Sequence, residues 1–350
     1  MAALVKKETK NSIHVDYEGK LTFKERLMSK LKTSNTWIKV VITIFRFILM
    51  LGVSYVILYP FFARIAGSFM TRDDVLDATV SLIPKNFTLD TYKYIITENH
   101  YFEAVWHTLL ISVICALIQT LIACVIGYGL AKFKFKGNGF VMLLVVFSMI
   151  IPHRTLKLSM AKHFNFFDIL TVQAWEYKGP IELIFGRTFE LQDSMVPLLI
   201  LSLTGLAFKN GLYIYLMRQF FKGVPDELEE SAYVDGSGVF RTFFQIILPL
   251  SVPMMITIFL FSFSWQWTDE FYTKLFWASD SEITGYYLMN DVWEEAPATL
   301  SVYKSSAGWI AYNNVIQNTA GMLIIAPLIV LYLFCQKYLV QGIERSGLVG

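Results

Sequence analysis

The residues of this chain best placed to do chemistry are the carboxylates of one short polar stretch, Pro225-Asp226-Glu227-Leu228-Glu229-Glu230-Ser231-Ala232-Tyr233-Val234-Asp235-Gly236. Asp226, Glu227, Glu229 and Glu230 crowd what reads as the first turns of a helix, where the helix dipole favours negative charge. Pro225 suits a first helical position and Gly236 the position just past the end. Ser237 is suited to cap a following helix, in which Phe240, Phe243, Phe244 and Ile247 recur at helical spacing as one aromatic stripe. Pro249 then leads into an apolar run. The chemistry on offer is recognition: a rigid helix-turn-helix shaped for a groove on a partner. A plain amphipathic connector packed under its neighbours fits the same pattern.

Other reactive groups are sparse. Asp269 and Glu270 are adjacent, and neighbours in sequence diverge in direction on a helix, which weakens a paired-carboxylate enzyme. There is no G-x-x-x-x-G-K-[ST] run, no G-x-S-x-G elbow and no metal-ligand spacing. Cys115, Cys124 and Cys335 all fall in apolar runs. The first two, nine residues apart, would lie roughly 13 Å apart on one helix and could not bridge.

The elements around the polar stretch belong to a membrane. Of 350 residues 55% are hydrophobic and only 17% charged, where a soluble domain carries about 25% charged residues. The net charge of +2 gives no footing for nucleic acid. Six apolar stretches, about 39–65, 104–131, 139–153, 195–218, 249–268 and 315–337, approach the roughly 20 residues that cross a bilayer. The third is short, stops at Ile151-Pro152 and is a candidate for a broken span.

With the N-terminus inside, the inner segments hold seventeen Lys and Arg, and the outer ones eleven, against eighteen Asp and Glu. The positive-inside rule therefore puts both termini in the cytoplasm. The polar start does not read as a cleavable signal peptide. The expected division is a basic arm over 1–38, a six-span membrane domain over 39–340 with its helix-turn-helix at about 225–249, and a cytoplasmic tail over 341–350. The basic residues between Lys20 and Lys39 suit either a membrane-surface helix or an ordinary topology-setting flank.

Glu230-Ser231-Ala232-Tyr233-Val234-Asp235-Gly236, followed by Ile246 and Leu248-Pro249, resembles the EAA motif of ABC importer permeases, with Ser231 where alanine is usual. Leu216-Met217-Arg218-Gln219-Phe220-Phe221 with Pro225, and Gly127-Tyr128-Gly129-Leu130-Ala131-Lys132 running on to Gly137, are similar to the carbohydrate branch of that family. The C-terminal Gln336-Lys337-Tyr338-Leu339-Val340-Gln341-Gly342 resembles the tail of its maltose-type inner subunit.

The resemblance implies an all-α integral membrane protein with six transmembrane helices and the type I ABC importer permease fold. It implies a plasma-membrane permease subunit for a sugar or oligosaccharide, paired with a second permease. Two ATP-binding subunits would carry ATP and Mg, and a solute-binding protein would deliver substrate outside; this chain would bind no cofactor and contact membrane lipid but no nucleic acid. Glu230, Ser231, Ala232, Asp235, Gly236 and Pro249 would be the ATPase-coupling positions.

Two alternatives stand beside this reading: an ion-coupled carrier and an intramembrane enzyme. No Asp or Glu falls inside the six stretches, which counts against ion coupling. Lys209 is the odd charge in the fourth stretch, either lining a cavity for a polar or acidic substrate or holding a structural partner. In the aromatic stretch 269–314, Trp277, Tyr286, Tyr287 and Trp293 are candidates for contact with substrate or a binding protein, although interfacial Trp and Tyr also form membrane belts. The stretch 154–194 reads as a docking surface or as a lid.

Overall fold

The computed structural model describes residues 6–8, 14–16, 34–168, 179–277, 287–289, 292 and 307–345. The chain divides into two compact units, residues 1–64 and 65–350. In the first unit, β1 (Lys6–Glu8) and β2 (His14–Asp16) form an antiparallel ribbon with Lys7 opposite Val15. Beside this short ribbon every other element among the described residues is helical, as the all-α expectation has it. Residues 17–33, which hold most of the basic arm, lie outside the described residues. Most of α1 (Ser34–Ser68) follows, and its apolar surface is exposed along the whole of its most hydrophobic stretch.

The second unit begins with the last turn of α1 and continues through α2 (Arg72–Leu76) and α3 (Asp90–Glu98) into α4 (Tyr101–Lys132). With 32 residues, α4 spans about 48 Å, more than the hydrocarbon needs. It is the central helix, and α9 (Asn210–Lys222) and α12 (Leu248–Trp267) pack along it. Small residues make this possible: a Cβ on Gly127 would lie 2.6 Å from Met217 Cβ. Gln119 ties three helices inside the apolar core. It donates from Nε2 to Ser202 Oγ at 3.1 Å in α8 (Val196–Leu203) and accepts from Ser262 Oγ at 2.7 Å in α12.

The six expected stretches are not six uniform helices. Among the described residues, four helical runs are long and apolar enough to cross a membrane, Ile38–Ser68, Tyr101–Lys132, Val239–Trp267 and Tyr312–Leu339; a bent pair makes a fifth candidate. That pair is α5 (Asn138–Ile150) and the helical run His153–Asn165, which ends in α6 (Lys157–Asn165), with a turn of 89° at Ile151-Pro152. The fourth stretch, expected continuous over 195–218, is cut between α8 and α9. Gly205 (φ +74°) and Lys209 (φ +65°) both take the left-handed conformation, which cannot continue a right-handed helix. Beyond residue 179 a short α7 (Pro180–Phe185) precedes α8.

The fifth stretch starts earlier than expected. α11 (Val239–Thr242) runs through a π turn, Phe243–Ile247, directly into α12, so Pro249 lies within a helical run instead of closing one. The wide turn accommodates a proline that has no N–H to offer the preceding turn. α13 (Phe271–Phe276) is short, and α14 (Ala307–Arg345) carries the sixth stretch. The expected tail boundary at 341 falls inside α14, and residues 346–350 lie outside the described residues. Pro327 in α14 cannot donate to the carbonyl of Leu323, and Tyr101 Oη fills that vacancy at 3.0 Å. The next carbonyl, Ile324, accepts from Trp267 Nε1 at 3.0 Å.

Candidate functional site

The acidic stretch folds as α10 (Glu227–Val234), with Asp226 at its N-cap. Pro225 therefore stands one residue before the cap, not at the first helical position. The C-terminus closes as a Schellman motif: Ser237 N–H donates to the Ala232 carbonyl at 2.9 Å and Gly236 N–H to the Tyr233 carbonyl at 3.0 Å. Gly236 has φ +83°, as its place past the helix end requires. Ser237 does not cap the next helix. Gly238 holds that position with extended backbone and no side-chain bond.

The aromatic stripe splits in two. Phe243 and Ile247 are buried, while Phe240 is 81% exposed and Phe244 is also exposed. The π turn adds a residue to the local period, so the 3.6-residue spacing no longer holds one face together. On α10, Ala232 and Glu229 face inward. Glu230, Ser231, Asp235, Gly236 and, beyond, Pro249 are exposed, and Val234 is 87% exposed. The element thus presents Val234, Tyr233 and Phe240 beside acidic groups on its outer side.

Its inner side joins Asp226 and Glu229 of the acidic stretch to Tyr128 and Lys132, which the sequence offered only as members of a motif run. Lys132, the last residue of α4, donates from Nζ to the Val224 carbonyl at 2.7 Å and to Asp226 Oδ1 at 2.5 Å, and lies 3.7 Å from Glu229 Oε2. Tyr128 Oη donates to Glu229 Oε1 at 2.7 Å. The Lys132 and Glu229 side chains are only 7% and 9% exposed. The bond from Lys132 holds the Asp226 carboxyl below the usual carboxylate range. Around the Tyr128 ring stand Phe133, Phe221 and Phe243, with centroids 4.8–5.5 Å away. The one local signal was a Tyr and a Lys four residues apart at the end of a span, on one helical face.

Lys209 occupies the N-cap of α9 in a left-handed conformation. Its Nζ lies 5.1 Å from the ring centroids of both Phe208 and Trp265, a cation–π clamp that spans two elements. The side chain remains exposed. Phe208 also meets His153, which is bonded to Tyr272 Oη at 2.6 Å. The cluster gathers residues from the bend after α5, the break before α9, the C-terminal end of α12 and α13. Phe208 and Trp265 were not among the sequence candidates.

Among those candidates, Trp277 is half-buried and packs on the cluster of Phe164, Leu198 and Phe276. Tyr287 stacks on His100 with centroids 4.0 Å apart, and its carbonyl accepts from His107 Nδ1 at 3.0 Å. Tyr286 and Trp293 lie outside the described residues. Asp269 and Glu270 form no dyad: Asp269 Oδ2 accepts from the N–H groups of Tyr272 and Thr273 at 3.0 Å, and Glu270 pairs with Lys274 at 3.1 Å. Burial pushes the Asp269 carboxyl up to about 6, against the backbone donors that favour its charge. Among the described residues, no group of three His, Cys, Asp or Glu could hold a metal ion.

Long apolar helices packed on α4, with an exposed helix-turn-helix, suit a membrane protein that offers a surface to a partner. The family model described as "Binding-protein-dependent transport system inner membrane component" matches residues 119–345, and the chain belongs to that family of ABC importer permease subunits. Protein LplC of Bacillus subtilis (strain 168) is 25% identical over 85% of this chain and 92% of its own length. The probable starch degradation products transport system permease protein AmyC of Thermoanaerobacterium thermosulfurigenes is 27% identical over 81% and 89%. The fold matches a chain from the crystal structure of a bacterial ABC transporter involved in the import of the acidic polysaccharide alginate. The TM-score is 0.61 at 19% identity, over 85% of this chain and 96% of that one.

Proposed function

We propose that this chain is one half of the membrane pathway of an ATP-driven sugar or oligosaccharide importer in a bacterial cytoplasmic membrane, with both termini in the cytoplasm. A second permease subunit completes the pathway, two ATP-binding subunits dock inside, and a solute-binding protein delivers substrate outside. ATP and Mg belong to the ATPase subunits. The observation that carries this reading is the exposed outer face of α10 and its turn, with Glu230, Val234, Asp235 and Gly236, on a base fixed by buried bonds to α4. Such a face suits a cleft in a partner, and closure of the ATPase pair would move it. The permease would then alternate between outward-open and inward-open states.

Six spans fit if α5 with α6 forms the third and α8 with α9 the fourth. Interrupted helices at membrane depth are tolerated where they are buried in protein or line a water-filled cavity. That supports Lys209, between Phe208 and Trp265, as a lining group of the translocation path. Trp277 and Tyr287, with Tyr286 and Trp293, remain candidates for the outer contact. The sugar class is supported by the starch-product relative and by the carbohydrate-branch resemblance.

The test is uptake in cells depleted of ATP with the ion gradient intact, together with co-purification of an ATPase subunit. Uptake should stop, and replacement of Val234 by Asp should release the ATPase. Persistent uptake, or an ATPase still bound to V234D and E230R together, would refute the docking reading.

A further inference from the structure

We propose that Lys132 and Tyr128 form a latch that makes α4 move with α10, which makes them positioning residues for transport coupling. The inference rests on the docking role given above to α10.

By peptide connection, α10 pulls only on α9 before it and on the Val239–Trp267 run after it. α4 lies far off in sequence: Asp226 is 94 residues from Lys132, and Glu229 is 101 from Tyr128. Yet α4 is the helix on which α9 and α12 both pack. A motion of α10 that left α4 behind would have to shear that packing.

The latch prevents this in two ways. It is a two-point attachment, because Tyr128 and Lys132 are one turn apart on a single face of α4, and both reach the first turn of α10. One contact would allow a pivot; two resist rotation as well as separation. The inner half of the latch is nearly buried. Pulling α10 away would strand the Glu229 carboxylate and cost the Lys132 ammonium its acid partners. Moving the two helices together is the less costly path.

The geometry also separates the two tasks of α10. Glu229 faces α4, whereas Glu230 and Val234 face outward, so docking and latching use different sides. Asp226, 78% exposed, gives Lys132 a second carboxylate at the rim.

The experiment uses the full chain assembled with its ATPase subunits in liposomes. Cysteines are introduced one at a time at Phe102, Glu103 and Trp106, on the exposed face of α4 at the end away from the latch. Labelling by a methanethiosulfonate reagent is timed with and without ATP plus orthovanadate. With the latch intact, the nucleotide should change the rate at one or more positions by about tenfold, within the range of coupling between distant sites. K132M should reduce that change to less than about twofold, and K132R should restore most of it. Y128F, which keeps the ring and removes only the hydroxyl, should also weaken the response and covers the case in which K132M does not assemble. If K132M or Y128F responds like the parent, the latch is wrong while docking stands. If the ATPase subunits do not co-purify with the parent, or remain bound to V234D and E230R together, the docking role fails, and the latch with it.

Discussion

Tyr128 and Glu229, 101 residues apart in sequence, share a buried 2.7 Å hydrogen bond that ties the end of α4 to the first turn of α10. A bond to a charged acceptor is worth about 1.5–3 kcal/mol. Its energy should appear as non-additivity in a double-mutant cycle of Y128F and E229Q, read from thermal unfolding of the purified chain. Strict additivity of the two changes would show that the contact contributes nothing. Replacing Glu229 by Ala should cost more than E229Q, because it leaves the Lys132 ammonium without its buried partner.

Two glycines set the shape of the site and fail differently when filled. Gly236 at φ +83° has open space where a Cβ would go, so G236V should cost about 1–2 kcal/mol from backbone strain alone, and G236N less. Gly127 has ordinary helical backbone but no room, with Met217 Cβ 2.6 Å away and the Arg218 N 3.0 Å away. G127A should therefore force α4 from α9 and cost about 1–3 kcal/mol. Melting temperatures of the two series, compared with the yield of folded chain, check both. Wild-type melting of G127A would contradict the close crossing.

Asp269 should impose a pH dependence on stability. Its carboxyl titrates at about 6 in the folded chain, against an ordinary 3.8. A group raised in this way stabilises the fold fully below its unfolded value and loses that contribution as pH rises through the folded one. Two units correspond to roughly 3 kcal/mol. The unfolding midpoint should thus fall between about pH 4 and pH 6.5. D269N, which retains an oxygen acceptor for the α13 N–H groups, should flatten that slope. An unchanged slope in D269N would assign the dependence to another group.

Lys209 should matter for transport more than for folding. Its ammonium is exposed and held by ring faces, and no carboxylate pairs with it among the described residues. K209M should reduce uptake by about tenfold or more while leaving the melting temperature within about 1 °C, since the side chain is exposed and Lys and Met bear the same left-handed strain at φ +65°. Replacing Trp265 by Leu should weaken uptake in the same assay. Unaltered uptake in K209M would remove Lys209 from the path.

What could be read from the sequence was local. Gly236 announced its turn because one residue decides the φ there, and the acidic start of α10 followed from the helix dipole. The bend at Ile151-Pro152 was visible because proline disfavours helix at the residue before it. The cut between α8 and α9 was not, since Leu206, Ala207 and Phe208 keep the stretch apolar while the backbone leaves the helix. Hydropathy reports the medium around a segment and says nothing of its continuity. The stripe from Phe240 to Ile247 failed for a related reason: a single π turn changes the phase, and no side chain in the window declares it. Tyr128, Lys132 and Glu229 each stood in a recognisable stretch, but only the packing of distant segments brings them together.

The burial of Cys115 and Cys124, each 1% exposed, has a practical side. Both native thiols are shielded from aqueous reagents by the helices that enclose them, and only Cys335 is partly accessible. Replacing Cys335 with serine should leave a chain almost silent to maleimides. A fluorophore on a thiol placed at the exposed Lys136, just past α4 and away from the outer face of α10, would then report the conformational cycle against a dark background.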